Sequence, residues 1–198
     1  MARSGRPRGF DRDAALDSAM HLFWEHGYEG ASLLTLRHAM GDISSASFYA
    51  AFGSKEALYR ETLARYLAQH GSIVDALDDE RLPPRARLEQ ALLGSVAVQT
   101  DLAHPQGCMV TLSATISSEL SAQIRALTRS ERDVTRNALH RCISAGVSAG
   151  DLAPTTDVAG LVALYDGLLL GISIQARDEV PASAIRAGIK HAMAAWRD

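Results

Sequence analysis

Apolar residues recur at helical spacing along nearly the whole chain, and no stretch shows the strict alternation of a half-buried strand. Leu16, Ala19, Met20 and Phe23 fall at i, i+3, i+4 and i+7, the stripe of an amphipathic helix. Asp11 is placed to cap it, Asp13 puts negative charge in its first turn, and Gly27 is placed to end it. Ser32 predicts the cap of a short helix over about 33–40, and Gly41, Asp42 and Ile43 make a tight connection. Ser44 predicts the cap of a third helix over about 45–52. Gly53 breaks it and Ser54 caps a fourth, whose one face carries Tyr59, Leu63, Tyr66 and Leu67.

The pattern then changes character. Residues 78–84, charged and ending in Pro83-Pro84, read as a hinge, after which Leu88, Leu92 and Val96 mark a resumed helix. His104-Pro105-Gln106-Gly107 is a second break, followed by a helix over about 108–118. A long helix over about 121–149 places Ile124, Leu127, Val134, Ala138 and Cys142 inward. Gly150 and Pro154 punctuate it. Helices over about 156–177 and 181–196 finish the chain, with Pro181 suited to a first helical position and Ile185, Ile189, Ala192, Met193 and Trp196 on one stripe. The expected fold is all-α, with about nine helices. A basic arm spans 1–10, a three-helix helix-turn-helix unit 11–54, a linking helix about 55–77, and a helical body 78–198.

Composition narrows the class. With 198 residues and 47% apolar content the chain can bury a sizeable core. A net charge of -3 and a pI near 6.2 argue against coating DNA by charge alone, though not against a reader with local basic contacts. Two cysteines, Cys108 and Cys142, are too few for a disulfide framework and point to a reducing cytoplasm. The arginine-bearing N-terminus has no apolar run behind it, so it is not read as a secretory signal. The apolar run 158–174 contains Asp166 and three glycines and reads as a buried helix, not a membrane span.

The chemistry concentrates in residues 33–52. Two short helices at a sharp turn, packed on a third, make a scaffold whose second helix can enter the major groove with its N-terminal residues at base edges. Ile43, Phe48 and Phe52 can face the core. Ser32, Ser44, Ser45, Ser47 and Tyr49 can face the duplex. Ala46 and Ala51 permit close approach, a methyl can meet a thymine methyl, and Ala50 joins the DNA-facing set. Lys55 is placed for a phosphate, and Arg3, Arg6 and Arg8 for phosphate or the minor groove.

Gly27-Tyr28-Glu29-Gly30-Ala31-Ser32, Ala39-Met40-Gly41 and the run from Ser47 to Leu58 resemble the N-terminal domain of TetR-type repressors. The resemblance covers residues 9 to about 67. It implies an N-terminal DNA-binding domain and a C-terminal domain that binds a ligand and dimerises through its last two helices. One position departs from the pattern. Asp42 stands between the turn glycine and Ile43, lengthening the turn by one residue. The polar base-reading set is small, so recognition is expected to draw also on the arm and on DNA shape.

The body offers weaker signals. Cys108 and Met109, with Leu112 and Tyr165, read either as core packing or as the rim of a ligand cavity. Gly160, Leu164, Gly167, Leu168 and Gly171, with Ile185, Ile189 and Met193, are the expected dimer seam. Asp166 is left with three readings: an interface pair, a pocket residue or an exposed edge. No nucleophile–base set, phosphate loop or metal spacing is found. No enzyme activity, cofactor or metal is therefore expected, nor a membrane partner. The expected partners are operator DNA, a second copy of the chain and a small apolar or aromatic effector. The rival reading is a small-molecule-binding or catalytic helical protein that does not bind DNA.

Overall fold

The computed structural model describes residues 10–113 and 121–197, and every structural statement below concerns those residues. Ten α-helices and no strand are found among them. Four form the N-terminal unit: α1 (Arg12–Gly30), α2 (Leu33–Ala39), α3 (Ser45–Phe52) and α4 (Lys55–His70). Six form the body: α5 (Ile73–Leu77), α6 (Pro84–Gln99), α7 (Met109–Leu112), α8 (Ala122–Ala149), α9 (Val158–Arg177) and α10 (Ala182–Ala192), the last closed by a 3₁₀ turn at Met193–Ala195.

The starts of the first four helices follow from side-chain caps. Asp11, Ser32, Ser44 and Ser54 each accept a backbone N–H from the first turn of the helix they precede. Regular α1 stops at Gly27, which has φ 71, and one further turn carries the chain to Gly30. The single linking helix expected over 55–77 is in fact two. The chain turns at Gly71, where a Cβ would lie 2.4 Å from the Leu67 carbonyl oxygen, and restarts as α5. Of the helix expected over 108–118, only α7 is described, and 114–120 lie outside the described residues. Val134, expected inward on α8, is 45% exposed. Pro181 caps α10 rather than opening it.

Two apolar cores result. The first gathers Leu16, Met20, Phe23 and Trp24 of α1, Leu36 of α2, Phe48 and Phe52 of α3, and Leu58, Tyr59, Leu63 and Tyr66 of α4. Each such burial is worth about 1.5–3 kcal/mol, so the short helices α2 and α3 are held by packing rather than by propensity. The second core gathers residues of α5, α6, α8, α9 and α10 around Tyr165 and Trp196.

The two units are joined through α7. Met109, Val110 and Leu112 of α7 and Ile124 of α8 belong to the first core, not the second. The Trp24 indole N–H donates to the Gly107 carbonyl at 3.1 Å and the Tyr59 hydroxyl donates to Ser113 Oγ at 2.7 Å, both buried. Ser121 Oγ donates to Glu29 at 2.8 Å, and Arg177 pairs with Glu25 at 3.3 Å. Helix α9 is long and apolar enough to cross a membrane by length and composition. Here one side of it packs on α6, α8 and α10.

Candidate nucleic-acid interface and ligand cavity

The turn between α2 and α3 absorbs the additional residue by running two consecutive positions through positive φ, Gly41 at 91 and Asp42 at 57. Aspartate is one of the few non-glycine residues that tolerates this region. Side chains then lock the turn. The Ile43 N–H donates to the Arg37 carbonyl at 3.2 Å, and Arg37 Nε donates back to the Ile43 carbonyl at 2.8 Å. His38 Nδ1 closes on the Asp42 carboxylate, and Ile43 is buried. Asp42 is thus the pivot of a defined loop, and α3 leaves it in a fixed direction.

Helix α3 is capped by Ser44, whose Oγ accepts the Ser47 N–H at 3.0 Å while the two hydroxyls bond each other at 2.9 Å. Phe48 and Phe52 anchor one side in the first core. Ser44, Ser45, Ala46, Tyr49 and Ala50 are exposed on the other, with Ser47 half-buried at the edge. Tyr49 is 52% exposed, and its ring stands edge-on to Phe48 at 5.4 Å, which holds a large polar-tipped side chain outward. Ser32 is exposed at the head of α2, its Oγ accepting the Thr35 N–H at 3.0 Å.

Lys55 is less available than its position suggests. Its ammonium lies 4.5 Å from the Tyr28 ring centroid, and its pKa is lowered by burial, against which Glu29 acts. Neighbouring cations are engaged too: Arg12 with Glu61 at 2.7 Å, Arg60 with Glu56 at 2.9 Å, and Arg65 with Asp13 and Asp17 at 2.6 and 2.7 Å. Arg3, Arg6 and Arg8 lie outside the described residues. The structure adds Leu34, Thr35 and His38, exposed on α2 opposite buried Leu36. Helical periodicity counted outward from an inward Leu36 is the signal that could have found them.

In the body, a cavity of about 120 Å³ opens where α4–α9 converge. Cys108 lines it, together with Val110 and Thr111. Met109 and Leu112 do not; they lie three apart on the opposite side of α7, buried in the first core. Tyr165 does not line it either. It is fully buried in the second core, with its hydroxyl donating to the Ala192 carbonyl at 3.3 Å. Asp166 lines the cavity and pairs with Arg136 at 3.3 Å. Cys142 is buried away from it. Its thiol donates to the Pro84 carbonyl at 3.2 Å, and burial pushes its pKa up to about 11, which leaves it inert as a thiolate.

Ile185, Ile189 and Met193 are each at most 2% exposed in the chain's own second core, so they present no surface to a partner. Gly160 sits against its own helix cap, where a Cβ would meet Asp157 Oδ2 at 2.4 Å. Gly167 has no such intrachain reason: a Cβ there would meet nothing within 4 Å. Leu164 and Ile174 are each 44% exposed, Gly167 is exposed between them, and Leu168 and Gly171 are half-buried. On α10 the exposed positions include the small residues Ala184, Ala187 and Gly188.

A capped, outward-facing second helix on a rigid turn, clamped to a helical body with an internal cavity, defines a helix-turn-helix DNA-binding regulator. Residues 15–62 match the family model described as bacterial regulatory proteins, tetR family, and residues 84–192 match the tetracyclin repressor-like C-terminal domain. The chain belongs to the TetR family and is a DNA-binding transcriptional regulator, not an enzyme. It is 34% identical over 175 residues to the HTH-type transcriptional repressor ComR of Escherichia coli K12, covering 88% of this chain and 83% of the relative. Among solved structures it is similar to a cysteine-substituted form of the TetR family regulator CifR, complexed with 26-base-pair operator DNA. That match has 43% identity and a TM-score of 0.88, covering 96% of this chain and all of that one. The reduced form of E. coli NemR shares the fold at 23% identity and a TM-score of 0.69, covering 91% and 95%.

Proposed function

We propose that the chain is a cytoplasmic homodimeric repressor that is released from a palindromic operator when a small apolar or aromatic effector enters the body cavity. The exposed face of α3 carries this reading: Ser45, Tyr49 and the Ala46 and Ala50 methyls project from a helix fixed by Ser44, Phe48 and Phe52. Ser32 at the head of α2 and Lys55 at the head of α4 supply backbone contacts, with Arg3, Arg6 and Arg8 in the adjoining groove. The unpaired stripe of Leu164, Gly167 and Gly171 on α9, beside the small residues of α10, is the seam for the second copy. Two recognition helices then meet half-sites about 34 Å apart or a multiple of that. The complex of CifR with operator DNA supports the same reading.

Selection of bound sequences from random duplex DNA tests it, together with light scattering of the purified chain. The expected result is an inverted repeat bound by a dimer, with affinity falling steeply as salt rises. A chain that stays monomeric at micromolar concentration and selects no sequence overturns the proposal.

A further inference from the structure

Two charges on the cavity wall, Arg132 and Glu131, form no ion pair among the described residues, and Arg132 is the cation. Arg132 lines the cavity from α8, half-buried, and makes one hydrogen bond, from Nη1 to the Val110 carbonyl at 3.2 Å. Among the described residues no carboxylate comes within 4.0 Å of its guanidinium. The nearby acids are taken: Asp133 pairs with Arg136 at 2.5 Å, and Asp166 pairs with the same arginine at 3.3 Å. Glu131 also lines the wall, but consecutive helical residues point about 100° apart, and it forms no pair with Arg132. Burial, and next the neighbouring Arg136, lower the Arg132 pKa, while Asp133, Asp166 and Cys108 act against them without restoring it. A guanidinium offers five N–H donors in a planar fork suited to a carboxylate.

The approach to this residue is basic as well. Arg125, Arg129 and Arg132 fall at i, i+4 and i+7 on one face of α8, around a shallow groove that ends at Arg132. Arg129 pairs with Asp133 at 4.0 Å, so the stripe adds only a partly compensated positive field beside Arg132. Most of the remaining wall is apolar, with Leu67, Ile73, Val98, Leu169 and Leu170, and polar groups such as His70, Gln99 and Thr135 interrupt it. Its volume of about 120 Å³ is close to the roughly 150 Å³ at which an engineered apolar cavity accepts benzene.

We propose that the cavity binds a small monocarboxylate, with its carboxylate on Arg132 and its apolar body against Leu67, Val98 and Leu169. This rests on the reading of the cavity as an effector site. Glu131 and Asp166 on the same wall repel any anion, so a ligand carboxylate is held only against Arg132 and a second negative charge is disfavoured. Ser95 and Thr111 line the same space and can take up a single polar substituent.

The test uses the full chain and two matched pairs of probes: benzoate with benzamide, and hexanoate with hexan-1-ol. Binding is read by calorimetry and by release of the selected operator duplex. Each acid should bind about tenfold to a hundredfold more tightly than its neutral partner, the range expected for hydrogen bonds to a charged group. Arg132→Gln should abolish that preference, and Arg132→Lys, which keeps the charge, should retain part of it. Melting temperature and operator affinity without probe show whether each variant is folded. The acid-against-neutral comparison in the unmodified chain stands even where a variant does not fold. Neutral probes that bind and release DNA as well as the acids overturn the carboxylate assignment while leaving the effector cavity in place. Failure of all four probes at millimolar concentration, with operator binding intact, also overturns it and leaves the DNA-binding reading untouched.

Discussion

Gly107→Ala isolates the contact that joins the DNA-binding unit to the body. Gly107 has φ +82, where an alanine costs about 1–2 kcal/mol relative to its ordinary backbone conformation. Space is also short. A Cβ would lie 2.9 Å from the Ser173 carbonyl oxygen and 3.0 Å from Leu112 Cδ1. Leu112 can change rotamer, but the Ser173 carbonyl belongs to the backbone of α9, so Gly107 itself must move. Its own hydrogen bonds leave little room for that. The Gly107 N–H donates to the Gln99 carbonyl at 2.9 Å, and its carbonyl accepts the buried Trp24 indole N–H at 3.1 Å. Breaking the indole bond inside the core adds about 1–3 kcal/mol. The expected loss is about 2–5 kcal/mol by urea unfolding at fixed protomer concentration, with a shift in Trp24 emission. Gly150→Ala is the internal control. Gly150 has the same φ of +82, but a Cβ there meets nothing within 4 Å, so only the backbone cost of about 1–2 kcal/mol remains. Equal losses for the two variants would refute the reasoning, because the junction would then contribute nothing beyond backbone strain.

Three further outcomes are expected. Tyr49→Ala should leave stability within about 0.5 kcal/mol, as for other exposed positions, and weaken operator binding by about tenfold or more, since a lost base contact costs about 1–3 kcal/mol; unchanged affinity in a gel shift removes Tyr49 from the interface. Asp42→Val should cost about 1–2 kcal/mol because a β-branched residue tolerates φ 57 poorly, whereas Asp42→Asn should be nearly neutral; equal melting temperatures for the two would show that the turn does not depend on that conformation. Burial first, then His104 and His21, hold the His70 pKa below its ordinary 6.5, with Asp101 opposing. The unfolded chain therefore binds the proton more readily, so stability is complete above about pH 6.5 and is lost as pH falls below it. His70→Gln should flatten that slope, and identical stability profiles for the two chains between about pH 7 and 5.5 would rule His70 out as its source.

What the sequence could show was local. Asp11, Ser32, Ser44 and Ser54 each cap the helix that follows by bonding an N–H two or three residues away, so the signal lies within one turn. The inward set of α3 was equally plain, because Phe48 and Phe52 lie four apart. The break at Gly71 was legible in principle as a Gly-Ser pair, but the apolar stripe runs on through Ile73 and Val74 and reads as one helix. Periodicity also names a buried face without naming what buries it. Ile185, Ile189 and Met193 share a stripe that suits a partner or the chain's own core, and only the packing of α10 on α6 and α9 decides for the latter. The cavity was beyond reach for the same reason. Its wall is drawn from six helices, and α7 turns Val110 and Thr111 toward it while Met109 and Leu112 face away.

That division of α7 constrains how cavity occupancy can reach the DNA. Val110 both lines the cavity and belongs to the first core beside Met109 and Leu112, so a ligand that displaces Val110 or Thr111 shifts α7 against α1 and α4. Helix α4 offers a second route, since Tyr66, Leu67 and His70 line the cavity while Leu58 and Tyr59, about two turns earlier, pack beside α3. Close-packed cores resist gradual deformation and tend to move between discrete arrangements. The two routes are bolted to the same point, because Trp24 touches Tyr66, His70 and His104 with ring centroids 4.7, 5.1 and 4.5 Å away and bonds to Gly107. Effector coupling in such proteins is typically about 1–3 kcal/mol, the same size as that one buried hydrogen bond. A change at the Trp24 junction therefore has enough energy to uncouple ligand from operator while leaving both sites intact, and a Trp24→Phe chain that still binds each of them separately but no longer trades one for the other would be its signature.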